Sequence, residues 1–217
     1  RVSVIKDWGT TGFMYRTDMI YEILESWADF WRLSEKLSGC VTVLDSPGEV
    51  IGAALKLRGH SYNASSPEEL AEARDDLLAL KLHLLTFETN YKPLLASGKA
   101  CLSLGWNGDA AALIARGIPV RYVLPREGSQ IWEDDWAIAV DSPNPDLAHA
   151  FLNFVLRPEV AAQEAAPLRV LREQRFQRRG LQCAAITEGQ APGEAADLVH
   201  RIEMRGRELV ALTAGQE

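Results

Sequence analysis

Short apolar runs bounded by turn residues recur along this chain, and segments with helical spacing lie between them. VTVLD (41–45), LLTFE (84–88), CLSLG (101–105) and VRYVLP (120–125) have the pattern of strands. Residues 2–16 predict strand, turn and strand, with GTTG in the middle, and GSQIWEDDWAIAV (128–140) holds a further extended run. Residues 18–25 predict a short amphipathic helix. In SWADFWRLSEKLSGC, Ser26 is the expected N-cap, Trp27, Phe30 and Trp31 share one face, and Gly39 stops the helix. SPGEVIGAALKLRGH opens another helix, with Ser46 as cap, Pro47 in the first turn and Glu49 three residues after the cap. SSPEELAEARDDLLALKLHLL repeats that start with Ser66, Pro67 and Glu69. NYKPLLASG is a helix ended by Gly98, DAAALIARG is another, and PNPDLAHAFLNFVLRPEVAAQEAA gives two helices broken at Pro158.

Strands alternating with helices predict an α/β domain with a largely parallel sheet. In such sheets ligands bind beyond the carboxyl ends of strands. Asp45–Glu49 and Trp106–Asp109 both lie at strand-to-helix junctions, where a site is expected. From about Pro167 onward the periodicity is lost in an Arg- and Gln-rich segment, and only DLVHRIEMRGRELVALTAG has the spacing of one helix.

Composition narrows the functional classes. A net charge of −7 and a pI near 5.2 argue against nucleic acid or an anionic membrane as the main partner. No apolar run reaches the length of a membrane span, so no membrane insertion is expected. Cys40, Cys101 and Cys183 show neither a metal spacing nor a disulfide framework, and Cys40 and Cys101 are expected to be small buried hydrophobes at strand starts. No histidine pairs with a second ligand at helical spacing, and neither metal nor cofactor is expected.

GWNGDAA (105–111) places Trp106 beside Asp109 after a strand. An aromatic face and a carboxylate together suit an organic cation. The alternative is that Trp106 is core and Asp109 only caps the next helix. Glu49 has a similar alternative, as the capping-box partner of Ser46. Trp132 and Trp136 are expected to divide between core and cleft or solvent, and Asp135 to point away from Asp134. Glu49, Asp109 and Asp134 could also supply an acid–base pair for hydrolysis. Against that, the chain has no nucleophile elbow, phosphate loop or metal cluster.

Six motifs in order give a more specific expectation: DWGTTGFMYRTD, SWADFW, TVLDSPGEVIGAAL, LLASGKACLSLGWNGDA, VLPREGSQIWEDDWAI and HAFLNFVLRPEVAA. Through them, residues 4–165 resemble the bacterial spermidine/putrescine-binding proteins, the solute receptors of polyamine ABC transporters. The resemblance implies a type II periplasmic-binding fold of two α/β lobes joined by crossover strands. On that template residues 1–16 hold a crossover strand, 17–131 the second lobe, and 132–166 the return crossover and part of the first lobe. The remainder of the first lobe, on the order of a hundred residues, and the export signal would lie outside the chain.

The resemblance also implies a ligand set. Glu49 holds one ligand amine, Trp106 and Asp109 match the family's GW-x-GD turn, and Trp132 and Asp134 match an aromatic and an acid at the crossover. It implies a periplasmic, non-enzymatic, monomeric receptor whose partners are a polyamine and an ABC permease. Three acids exceed the charge of putrescine and equal that of spermidine. Ser46 stands where the resemblance implies an Asp in a spermidine-type site, and the absence of that acid tilts the expectation towards putrescine or another ligand. A half-cleft is expected to bind polyamines weakly or not at all. PLRVLREQRFQRRG lacks the family's Tyr-bearing strand and TPN-like turn, as a shifted reading frame would. That expectation is tested by resequencing the gene.

Overall fold

A computed structural model describes residues 3–165. The elements run, in chain order, β1 (Ser3–Arg16), α1 (Trp27–Lys36), β2 (Val41–Val43), α2 (Pro47–Leu57), α3 (Pro67–Lys81), β3 (Leu84–Phe87), α4 (Lys92–Ser97), β4 (Leu102–Trp106), α5 (Asn107–Ala115), β5 (Val120–Val123), β6 (Ile131–Ala137), α6 (Pro145–Val155) and α7 (Pro158–Ala165). The divergent segment from residue 167 lies outside the described residues.

The strands form one sheet in the order β3-β2-β4-β1-β5, and β6 pairs with β1 beyond that path. β2 runs parallel to β3 and to β4, whereas β1 is antiparallel to β4, β5 and β6. The sheet is therefore mixed, which corrects the largely parallel expectation. The cause is β1. It pairs antiparallel with β4, β5 and β6, whereas β2, β3 and β4, joined to one another through helices, lie parallel.

β1 itself is one unbroken strand of 14 residues, with no turn at GTTG. Its first half pairs with β6 and its second half with β4 and β5, so the backbone groups of the glycine-containing stretch are engaged in ladders. Gly9 serves close packing. A Cβ there would lie 2.3 Å from the Trp132 ring, so only glycine lets that indole lie across β1.

Residues 18–25 form turns and bends, not a helix. Met19 and Ile20 N–H close a single turn on the Arg16 carbonyl. Ile20 and Leu24 are buried while Tyr21 and Ile23 are exposed, so the i, i+4 apolar spacing that suggests a helix is met here by a turn and an irregular stretch. α1 follows the expectation. The Ser26 hydroxyl accepts from Asp29 N–H, and the Asp29 carboxylate returns to Ser26 N–H. Its Trp27 and Phe30 rings pack on Phe13 of β1 at 5.7 and 5.4 Å. Each such buried ring contributes about 1.5–3 kcal/mol by leaving water. Trp31, on the same side, is half-buried against α3, with its indole N–H 3.4 Å from the Asp76 carbonyl.

Cys40 and Cys101 are disulfide-paired, Cα to Cα 5.4 Å, at the entries to β2 and β4. This overturns the expectation of two independent thiols. Sequence spacing did not reveal the pair because the parallel register Val41↔Leu102 is what brings the two residues together. α6 and the β1–β6 ribbon are less enclosed. Trp136 meets Phe151 edge-on at 5.6 Å, yet α6 has no buried residue, and Leu147, Phe151 and Phe154 are exposed.

Candidate functional site

Two neighbouring parallel strands, β2 and β4, each run into a helix. In both helices the third residue is acidic: Glu49 in α2 and Asp109 in α5. A carboxylate in the first turn is favoured there by the partial positive charge of the helix N-terminus. The parallel register of the strands sets the two junctions side by side.

Neither acid is merely a cap. The N-cap of α2 is Ser46, whose side chain makes no capping bond, so no capping box forms with Glu49. Instead Glu49 Oε1 accepts from the Thr11 hydroxyl at 2.6 Å and from the Trp106 indole N–H at 2.6 Å. Oε2 makes no hydrogen bond, and the carboxylate has no ion pair among the described residues. Thr11 reaches it because it stands opposite Trp106 in the β1–β4 register. The N-cap of α5 is Trp106, not Asp109. The Asp109 carboxylate instead takes the Lys92 ammonium at 2.6 Å, and its side chain is 18% exposed against 39% for Lys92.

Tyr91 supports this arrangement from below. Its buried hydroxyl accepts the Trp106 backbone N–H at 2.9 Å, and its ring lies 6.2 Å from the Trp106 ring. Burial, then the neighbouring Asp109 charge, push this phenol well above the ordinary tyrosine range, so it stays protonated. Gly105 makes the contact possible, because a Cβ there would lie 2.3 Å from the Tyr91 hydroxyl oxygen.

On the other side of Glu49 a cavity of about 430 Å³ is lined by Ser46, Glu49, Gly52, Tyr62, Asn63 and Gln130. The Tyr62 hydroxyl lies 3.0 Å from Gln130 Oε1 and 3.3 Å from the Glu49 carbonyl. Burial, then the Glu49 charge, raise its pKa as well.

The residues of β6 join the group more loosely. Trp132 crosses Gly9 close to the Asn107 side chain, which accepts the Thr10 N–H at 3.0 Å at the start of α5. Its indole N–H is buried without a hydrogen-bond partner among the described residues. Asp134, two residues on, is exposed and stands opposite Asp7 in the ladder. Trp132 and Trp136 share one face, as a period of two requires, and both are half-buried. The expected division between them is corrected. Asp135 takes the Ser3 hydroxyl at 2.6 Å.

The structure thus brings Glu49, Trp106 and Asp109 together, with Trp132 beside Asn107 at the start of α5, while Asp134 is exposed in the β1–β6 ladder. Thr11, Tyr91, Lys92, Tyr62 and Gln130 were not anticipated. Lys92 and Tyr91 carry a faint signal, as a basic and an aromatic residue at the mouth of a helix that follows a strand. Thr11 and Gln130 carry none, because only strand register places them.

Residues 2–168 match the family described as bacterial extracellular solute-binding protein. Among characterised relatives, the putrescine/agmatine-binding protein of Pseudomonas aeruginosa is 32% identical over 72% of this chain and 47% of its own length. The putrescine-binding periplasmic protein PotF of Escherichia coli is 34% identical over 71% of this chain and 46% of its own. The crystal structure of the spermidine/putrescine ABC transporter substrate-binding protein PotD from Streptococcus pneumoniae superposes with a TM-score of 0.67 at 31% identity, covering 77% of this chain and 51% of that one. The chain spans about half the length of the curated relatives it matches.

Proposed function

The chain belongs to the bacterial extracellular solute-binding proteins, and from that premise we propose that it supplies one wall of a cleft that captures a polyamine, putrescine or spermidine, for delivery to an ABC permease. Glu49, Trp106, Asp109, Trp132 and Asp134 are the ligand-contacting residues in this proposal. Residues 17–131 form one lobe, β1 and β6 cross between lobes, and 132–166 begin the other. The protein acts in the periplasm as a monomer and without chemistry on its ligand.

The observation that carries the proposal is the hydrogen bond from the Trp106 indole to Glu49 Oε1. It locks the aromatic plane beside a carboxylate whose second oxygen remains unbonded, and the carboxylate has no cation of its own among the described residues. An alkylammonium fits that arrangement: an N–H donates to Oε2 while the methylene chain lies on the indole. Capture then proceeds by closure of the lobes, which removes water from the ion pairs and strengthens them.

The test is a titration of putrescine and spermidine into the 217-residue chain, followed by the indole N–H resonance of Trp106, which Trp106→Phe assigns. A saturable shift with either polyamine, weakened tenfold or more (~1.4 kcal/mol) by Asp109→Ala, is the expected result. No shift at tens of millimolar polyamine, or a shift with another cationic solute alone, overturns the assignment of the ligand.

A further inference from the structure

The ion pair between Lys92 and Asp109 changes the charge that the cleft offers. Lys92 is the first residue of α4, where the helix dipole disfavours a cation. Local preference therefore does not explain it. Its ammonium instead meets Asp109 Oδ1 at 2.6 Å, on the acid that the proposed function assigns to a ligand amine. The Asp109 side chain is the more enclosed of the two, and Trp106 and Tyr91 flank it.

We propose that Lys92 is a specificity-determining residue, an internal ammonium that fills one of the three acidic positions and tunes the cleft to dications over trications. The proposal rests on the polyamine reading above. Glu49, Asp109 and Asp134 carry three negative charges between them, and Lys92 returns one. On this wall of the cleft two remain to be matched, which is the charge of an α,ω-diamine such as putrescine. A triamine such as spermidine must either leave one ammonium unmatched or displace Lys92 from Asp109. Either course costs it affinity that a diamine does not lose. The hydroxyl of Tyr91, which accepts from Trp106 N–H, stays protonated and brings no negative charge to match an ammonium.

The test is the ratio of spermidine to putrescine affinity, measured by the same indole titration at low ionic strength. It compares the wild-type chain with Lys92→Met, Lys92→Arg and Lys99→Met. Lys99 is an exposed lysine at the opposite end of β4, so its removal reports the general effect of losing one positive charge. Lys92→Met is expected to raise the ratio at least fivefold. Lys92→Arg, which keeps the charge, and Lys99→Met are expected to leave it within twofold of wild type.

A ratio unchanged in Lys92→Met, with Glu49→Gln still weakening both ligands, overturns the role of Lys92 and leaves the polyamine reading standing. An equal rise in Lys92→Met and Lys99→Met also overturns it, because the effect is then one of net charge. Absence of binding in the wild type and in all variants overturns the polyamine reading and the specificity built on it. Unchanged far-ultraviolet circular dichroism confirms that each variant is folded.

Discussion

Replacing Glu49 by Gln separates the two tasks that the site geometry gives this residue. Gln retains a side-chain oxygen in the place of Oε1, so the Thr11 hydroxyl and the Trp106 indole keep their acceptor. What is lost is the charge, and with it the affinity of Oε2 for an ammonium. A hydrogen bond to a charged group contributes about 1.5–3 kcal/mol net. Glu49 is half-buried, so its attraction lies between the weak interaction of an exposed pair and that of a fully enclosed one. The expected loss is therefore about 10- to 150-fold in polyamine affinity.

Stability should respond differently. Among the described residues no cation faces Glu49, so neutralising it relieves desolvation without breaking an ion pair, and the free protein should stay within about 1 kcal/mol of wild type. Glu49→Ala, in contrast, also strands the two donors, and should cost a further ~1–3 kcal/mol of stability. The assay is thermal denaturation of both variants together with polyamine titration monitored at the Trp106 indole. Binding by Glu49→Gln within twofold of wild type would refute the reasoning, since the charge would then have no part in recognition. An equal loss of stability in both variants would refute the claim that Glu49 orients Trp106.

Three further outcomes follow from the packing and the caps. Gly105→Ala should push the Tyr91 ring out of its seat under β4, cost about 1–3 kcal/mol by overpacking and alter the near-ultraviolet circular dichroism; an unchanged melting temperature and spectrum would contradict that contact. Because Cys40 and Cys101 are paired and the chain has three cysteines, the unreduced protein in denaturant should present one thiol to Ellman's reagent and the reduced protein three; three thiols before reduction would exclude the bond. Burial alone would raise the Asp29 carboxyl, but the Ser26 hydroxyl, the Glu25 N–H and Arg32 outweigh it and hold it below the usual carboxylate range. The stabilisation from Asp29 is then fully present above the ordinary value of about 3.9 and is lost as pH falls through the folded value. Asp29→Asn should therefore flatten the acid limb of the melting temperature against pH, and parallel curves for variant and wild type would show that Asp29 contributes nothing to it.

Much of the molecule is determined locally. Ser26 and Ser66 cap their helices, as the side-chain bonds to Asp29 N–H and Glu69 N–H show. Pro47, Pro67, Pro145 and Pro158 stand at helix starts, and Gly98 ends α4. These follow from dihedral and hydrogen-bonding preferences of single residues and their near neighbours, so a sequence displays them directly. The acids and the indole at the two strand-to-helix junctions are equally legible, because the junctions themselves are local features.

Pairing across the sheet is not local. Whether GTTG turned or ran straight depended on β6, β4 and β5 arriving on either side of β1. Cys40 met Cys101 through the register of β2 and β4, 61 residues apart in sequence. The roles of the site residues were settled in the same way. In the sequence Glu49 is a capping residue as readily as a ligand group, and Asp109 an N-cap. Thr11 and Trp106, brought opposite one another by strand pairing, turn the first into a locked carboxylate. Lys92, from the start of a different helix, turns the second into one half of an ion pair. Local chemistry selected the residues. Only the tertiary structure decided their partners, because a carboxylate's charge is balanced by whatever lies within a few ångströms of it, and that neighbourhood is set by chain segments far away in sequence.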